Sequence, residues 1–375
     1  METGRTLKFS PDAPQSVIVK GYDWGKGLCT AILTLEEPAA PEAVDAGIFE
    51  QVVEERESFD WATFQPEHIV IRVPRTVQDA YVCSPDGARS TQPDRYVRVE
   101  FACTPATTPA CFDLHKQRSS WCDPYHLLYT VNGETFAPPV DLNHARLPQL
   151  EPFCMEQSFT GSEDRTLKYA YYEPEEAKAA PGKKLPLVIW LHGAGEGGTN
   201  TFLPLLGNKA TALASPEFQQ AMGGAAYVLL PQTPTFWLQY NEAGDWGNNP
   251  GVPSVYTQTL KELIDAFVAE HPQIDTNRIL IGGCSNGGYM TVNMAIQYPG
   301  YFAAAYPICD AYKDSGITEE QLNWIMAENG NDVNREKTAA EQYKTQLENA
   351  QTQLKTAQDG LAAFDGVHAA HTAAL

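Results

Sequence analysis

The sequence predicts an all-β sandwich followed by a mostly parallel sheet covered by helices on both faces. Three observations predict it. Residues 10–130 hold short β-prone runs separated by turn-rich stretches, without helical periodicity of useful length. From Leu185 onward, runs that are apolar on both faces alternate with amphipathic helical segments, the pattern of a buried parallel sheet. At residues 283–287 a glycine-rich turn joins one such run to a helix, with Ser285 at its centre.

The elements follow in order. In the first half, residues 16–20, 30–35, 68–73, 96–101 and 126–130 are strand candidates rich in Val, Ile, Leu and Tyr. Stretches such as 38–41 and 105–109, built from Pro, Ala and Thr, separate them. Residues 1–135 therefore read as the sandwich, and 136–155, with Pro138, Pro139 and Pro148, as a linker. Residues 156–375 read as the second domain. An entering strand covers 167–172 and a turn covers 181–184. Residues 187–191, 225–230, 278–283 and 302–308 are the buried strands. Residues 255–270 form a helix whose stripe is Leu260, Leu263, Ile264 and Phe267, with Pro272 just past its end. Residues 287–297 form the next helix, closed by Pro299 and Gly300. From about residue 326 the pattern becomes atypical. The run 322–327 is a weak strand, 334–360 is a surface helix by propensity, and 361–364 is a poor last strand.

Composition excludes several classes. A chain of 375 residues suits two domains, and 43% apolar residues can build sizeable cores. A formal net charge of -21 repels nucleic acid and anionic membranes, so neither is an expected partner. Nothing approaches the roughly 20 apolar residues of a membrane helix. Residues 1–8 have no apolar run behind them and do not read as a secretory signal. The chain is then either cytoplasmic or an exported protein without its signal. The eight cysteines include no CxxC and no Cys/His cluster at zinc spacing, so a structural metal is not expected. Their even number, six of them in the first 154 residues, suits disulfides in an oxidising compartment and favours a secreted or periplasmic location.

Gly283, Ser285 and Gly287 fit G-x-S-x-G between a strand and a helix. The turn that exposes such a serine is tight, so the positions two before and two after it must lack clashing side chains. Ser285 is the candidate nucleophile; the competing reading is a purely structural glycine turn. The N–H of Asn286, immediately after Ser285, is one expected oxyanion donor. The second comes from the loop after residue 191, with Ala194 preferred and Gly193 the near alternative. His192 reads as a buried structural residue beneath that loop. Glu196, in the same loop, is a candidate substrate contact or a brace acting through hydrogen bonds. Trp237 and Trp246, in loops beyond strand ends, offer a platform for an acyl, aryl or sugar group, or else surface packing. Cys284 adjoins Ser285 and Cys309 ends the following strand; if those strands are neighbours, their upper ends lie close enough for a disulfide that would brace the turn.

A hydrolase of this kind also needs an acid and a histidine downstream. Only His368 and His371 follow Ser285, and either can be the base. Asp332 is the preferred acid; Asp310 follows its strand too early, and Asp314 and Asp365 are the other candidates.

These residues resemble a known group. Residues 192–198, 235–237 and 282–290, with Tyr298-Pro299 and residues 306–310, are similar to bacterial secreted α/β-hydrolases of the prolyl-oligopeptidase-like and esterase or polyester-depolymerase type. Residues 21–25 and 121–125 resemble the immunoglobulin-like domain that precedes the hydrolase in one branch. The resemblance implies an exported enzyme that cleaves carboxylic esters without a cofactor. It implies an acid in a loop like 328–333, which favours Asp332, and a histidine after a Phe-Asp-x-Val run, which 364–368 resembles. The expected function is serine ester hydrolysis through an acyl-enzyme, on aryl, feruloyl, acetyl or polyester substrates. The alternatives are a serine peptidase of related type and a non-catalytic binding protein with an incomplete triad.

Overall fold

The computed structural model describes residues 7–309, apart from 61, 117, 181 and 246–252, together with 349 and 351. The chain divides into two compact units, residues 1–313 and 314–375. In the second, Asn349 and Gln351 are helical and exposed. The first carries the architecture described below.

Its first half is a β-sandwich. One sheet has the order β1 (Ser16–Tyr22), β2 (Gly25–Ala39), β6 (Asp94–Phe101), β5 (Val77–Cys83). The other runs β10 (Glu134–Phe136), β9 (Tyr125–Val131), β3 (Gln51–Phe59), β4 (His68–Pro74). A separate hairpin pairs β7 (Ala110–Asp113) with β8 (Arg118–Trp121). Inward-facing Leu28, Leu33, Val97, Val99, Leu127 and Tyr129 fill the core. Alternation along each strand puts these on one face and polar residues on the other.

The five strands expected here all form, each longer than its apolar run. β3 and β5 were not expected. In β3 the inward positions include Glu54 and Arg56, so charge interrupts the apolar alternation. These charges are paired. Glu54 accepts from Arg56 Nε at 2.7 Å and from Arg75 Nη1 at 2.6 Å, and Arg75 Nη2 donates to the carbonyl of Leu28 on β2 at 2.6 Å. Residues 140–150, read as linker, run along β1, with Arg146 N–H donating to Val17 O at 2.9 Å.

The second half is a six-stranded sheet ordered β11 (Phe153–Thr160), β12 (Thr166–Tyr172), β14 (Tyr227–Gln232), β13 (Leu185–Leu191), β15 (Ile274–Cys284), β16 (Ala304–Ile308). The last four strands are parallel and the first two antiparallel. All seven residues of β13 are buried, as a central strand covered on both faces requires. The helices are α1 (Glu175–Ala179), α2 (Phe202–Leu205), α3 (Pro216–Ala221), α4 (Thr257–Glu270) and α5 (Asn286–Gln297). α4 buries Leu260, Leu263, Ile264 and Phe267, the stripe read from the sequence. The architecture is an all-β sandwich followed by the mixed sheet and flanking helices of an α/β hydrolase.

The disulfides expected from the cysteine count are absent. All eight cysteines are free, including Cys284 and Cys309. In the sandwich the thiols direct their hydrogens to main-chain carbonyls: Cys29 to Ile18 at 3.5 Å, Cys103 to Leu28 at 3.3 Å, Cys122 to Glu57 at 3.5 Å. They behave as small buried hydrophobes with a weak donor. Free thiols supply no reason to place the protein in an oxidising compartment. Among the described residues no helix is long and apolar enough to cross a membrane.

Candidate active site

β15 ends at Cys284 and α5 begins at Asn286, which leaves Ser285 alone at the turn. Its backbone sits at φ 54°, ψ −108°. A serine held outside the common regions costs of order 1–3 kcal/mol and persists only when its surroundings over-determine it. Here they do. Ser285 N–H donates to Ile308 O on β16 at 2.8 Å, and Ser285 O accepts from Tyr289 N at 2.9 Å. A Cβ on either Gly283 or Gly287 would overlap the Leu191 carbonyl at the end of β13. The glycines of the motif are thus demanded by the neighbouring strand. Asn286 is the first residue of α5, so its N–H has no intrahelical acceptor and lies at the positive end of the helix dipole. Its side-chain oxygen turns away and accepts from Leu238 N at 3.0 Å.

The loop after β13 is held from several sides. His192 is buried; its Nδ1 donates to Gly193 O at 2.8 Å and its Nε2 accepts from Thr233 N at 3.2 Å. Burial pushes the imidazole down to about 4, so it is neutral near pH 7. With both nitrogens committed it is a brace and not a base. Glu196 accepts from Gly193 N at 2.9 Å and from Asn208 Nδ2 at 3.4 Å. A Cβ on Gly207 would overlap Glu196 Oε1, so glycine there makes room for the carboxylate. The Gly193 N–H is therefore spoken for, which removes the alternative oxyanion donor. Ala194 is an exposed residue in an otherwise buried loop, and its N–H has no acceptor among the described residues.

The sandwich reaches this loop directly. Ser119 N–H on β8 donates to Gly195 O at 2.6 Å, and the Phe112 ring packs against Gly195, whose φ is 84°. The β1–β2 turn docks nearby: Lys209 N donates to Tyr22 O at 3.1 Å. Between the two halves lies a cavity of about 390 Å³. Ser285, Ala194 and Glu196 line it from one side; Trp24, Lys26 and Phe112 line it from the other. A separate cavity of about 470 Å³, beside Arg118, Trp121 and Asn200, does not include Ser285.

The sequence reading offered no signal for Lys26, Phe112 or Ser119. They join the site through contacts some 80–260 residues distant in the chain, which no local pattern encodes. Of the residues it did single out, Ser285, Asn286, Ala194, Gly193 and Glu196 come together. Trp237 is 0% exposed, packed with ring centroids 5.2 Å from His192 and 6.1 Å from Tyr256, and does not line the cavity beside Ser285. The apolar bulk of the ring draws it under the loop into the core. Trp246, Asp332, His368 and His371 lie outside the described residues, as do Asp310, Asp314 and Asp365. Among the described residues no group of three or more His, Cys, Asp or Glu is placed to hold a metal ion.

Comparison with known proteins agrees with this architecture. Residues 255–358 match the Prolyl oligopeptidase family. That stretch contains Ser285 and Asp332 and stops before both late histidines. The poly(3-hydroxyalkanoate) depolymerase C of Paucimonas lemoignei is 30% identical over 128 residues, 33% of this chain; the match spans only 27% of the depolymerase. A solved thermostable esterase superposes with TM-score 0.57 at 21% identity, covering 78% of this chain and 76% of that one. A ferulic acid esterase covers 41% of this chain and 57% of its own, at 19% identity and TM-score 0.32. The first superposition shows the shared fold. The chain has the fold of an α/β hydrolase preceded by a β-sandwich.

Proposed function

We propose that the protein is a serine carboxylic-ester hydrolase acting through an acyl-enzyme. The observation that carries this reading is the backbone of Ser285, φ 54° and ψ −108°, at a strand-to-helix turn facing a cavity. Such strain at a cleft is the mark of a preorganised nucleophile. Ser285 Oγ attacks the ester carbonyl carbon and passes its proton to His368 or His371, which Asp332 orients. The N–H groups of Ala194 and Asn286 hold the oxyanion. The tetrahedral adduct expels the alcohol, which takes up that proton. Water then adds to the acyl-enzyme, and the carboxylic acid leaves as Ser285 recovers its hydrogen. No cofactor enters these steps.

The substrates proposed are aryl, feruloyl or acetyl esters, or polyesters. The names of the similar proteins, an esterase and a polyester depolymerase, support an ester over other acyl compounds. The match to the Prolyl oligopeptidase family favours a second reading, a serine peptidase of similar fold. A panel of p-nitrophenyl esters beside peptide amides separates the two. The expected result is ester turnover that Ser285→Ala abolishes, with Ser285 as the site labelled by a fluorophosphonate. Wild-type protein that cleaves amides faster than esters selects the second reading. Folded protein that neither turns over esters nor labels at Ser285 overturns both.

A further inference from the structure

The sandwich does more at this site than pack against it. Lys26, on β2, is 5% exposed and lines the same cavity as Ser285. Among the described residues its ammonium makes no hydrogen bond and no ion pair within 4 Å. Its countercharge is Glu196, which attracts it from beyond that reach. Burial depresses the Lys26 pKa and raises that of Glu196, and each pulls the other back towards its charged form. The Lys26 side chain is nearly enclosed, and its nitrogen, open to the cavity and without a direct acceptor, is placed to meet an acceptor that arrives from outside. Trp24, Phe59 and Phe112 give the cavity an apolar share of its wall, alongside polar Ser58, Thr108, Ser119 and Asn208.

We propose that Lys26 is a substrate-recognition residue, selecting esters that carry a second, uncharged acceptor oxygen a few bonds from the scissile carbonyl. This rests on the serine-esterase reading and names its substrate class. The apolar part of the wall accepts the carbon chain, and the ammonium donates to the distal oxygen, a ketone, ether or second ester carbonyl. The acceptor is neutral because Glu196 already places a carboxyl group beside Lys26; a substrate carboxylate would face that group as well. The hairpin that delivers Lys26 is anchored at its turn by the Lys209–Tyr22 hydrogen bond and by Gly21, where a Cβ would press on the Leu206 backbone at 3.0 Å.

The test uses matched esters followed by pH-stat titration on the full chain. Ethyl levulinate against ethyl pentanoate probes the acyl arm; 2-methoxyethyl acetate against butyl acetate probes the alcohol arm. Wild type is expected to favour the oxygenated member of at least one pair about tenfold or more in kcat/KM, the scale of one hydrogen bond to a charged group. Lys26→Met is expected to erase that preference, the kcat/KM of the oxygenated member falling to that of its all-carbon partner. Lys26→Gln, which keeps a donor, is expected to retain part of it and guards against a folding defect in the methionine variant. A preference absent in wild type, or unchanged in Lys26→Met, overturns the proposal while leaving the esterase reading intact. So does an equal loss on all four esters in both folded variants, which would make Lys26 a positioning residue. A wild-type preference for monoethyl glutarate over ethyl levulinate overturns the neutral-oxygen assignment. Wild-type protein that hydrolyses none of these esters, nor the p-nitrophenyl panel, overturns the esterase reading and this proposal with it.

Discussion

The backbone N–H of Ser119 donates to the carbonyl of Gly195 at 2.6 Å, and this bond joins a strand of the sandwich to the loop beside Ser285. Gly195 follows Ala194, whose N–H is left without an acceptor among the described residues. The sandwich thus helps to fix the orientation of the proposed oxyanion donor. Removing the bond tests that. Ser119→Pro deletes the donor and is expected to lower kcat/KM for p-nitrophenyl acetate by about 10- to 100-fold, the range for a misplaced oxyanion contact. Ser119→Ala keeps the N–H and is expected to stay within about twofold. Equal kinetics for the two variants would sink the idea.

Glu196 braces the same loop from beneath, with Gly193 N–H at 2.9 Å. Glu196→Ala leaves that buried N–H unpaired, a loss of about 1–3 kcal/mol. The expected outcome is a lower urea midpoint together with reduced kcat. Gly207→Ala, whose Cβ would overlap the carboxylate, is expected to reproduce the kinetic defect from the other side of the contact. Unchanged kcat in both variants would show that the brace has no bearing on catalysis.

His192 makes a pH-dependent contribution to stability. Its folded pKa, pushed by burial to about 4, lies below the ordinary 6.5, so its contribution is present above pH 6.5 and is lost as pH falls towards 4. At about 1.4 kcal/mol per unit, the full loss is about 3 kcal/mol. Glu196 acts in the opposite sense, since burial raises its pKa. Comparing wild type with His192→Gln isolates the histidine. Between pH 7 and 4 the unfolding free energy of wild type is expected to fall further than that of the variant, by up to about 3 kcal/mol. Parallel curves would refute the assignment.

Trp237 belongs to the core, so its truncation is expected to act on stability and not on recognition. Trp237→Ala is expected to cost about 3–5 kcal/mol by chemical denaturation. The KM of the remaining folded enzyme is expected to stay within about threefold. A large rise in KM with unchanged stability would restore the platform role.

Much of the second half was legible because its signals are local. The apolar runs of β13 and β14, the stripe of α4 and the glycine spacing around Ser285 are each contained within a few residues. β3 escaped notice because Glu54 and Arg56 face inward, and the second partner of Glu54, Arg75, is about twenty residues away. Trp237 stayed between a platform and a packing role because an aromatic in a loop looks the same in sequence whether it lies over a cleft or beneath one. The cysteines were misread for a related reason: an even count permits pairing, while the structure directs the sandwich thiols to nearby carbonyls.

By itself the sequence determined the buried strands and the two long helices of the second half, the tight turn at Ser285 and the loop after β13, because these depend on short-range periodicity and on where a side chain would clash. Only the tertiary structure decided that Gly193 is committed to Glu196, that Ala194 is left open, and that Lys26 and Ser119 of the sandwich stand beside Ser285 and its neighbouring loop. Those outcomes are set by burial and by hydrogen-bond partners far apart in the chain, which exist only once the two halves have packed together.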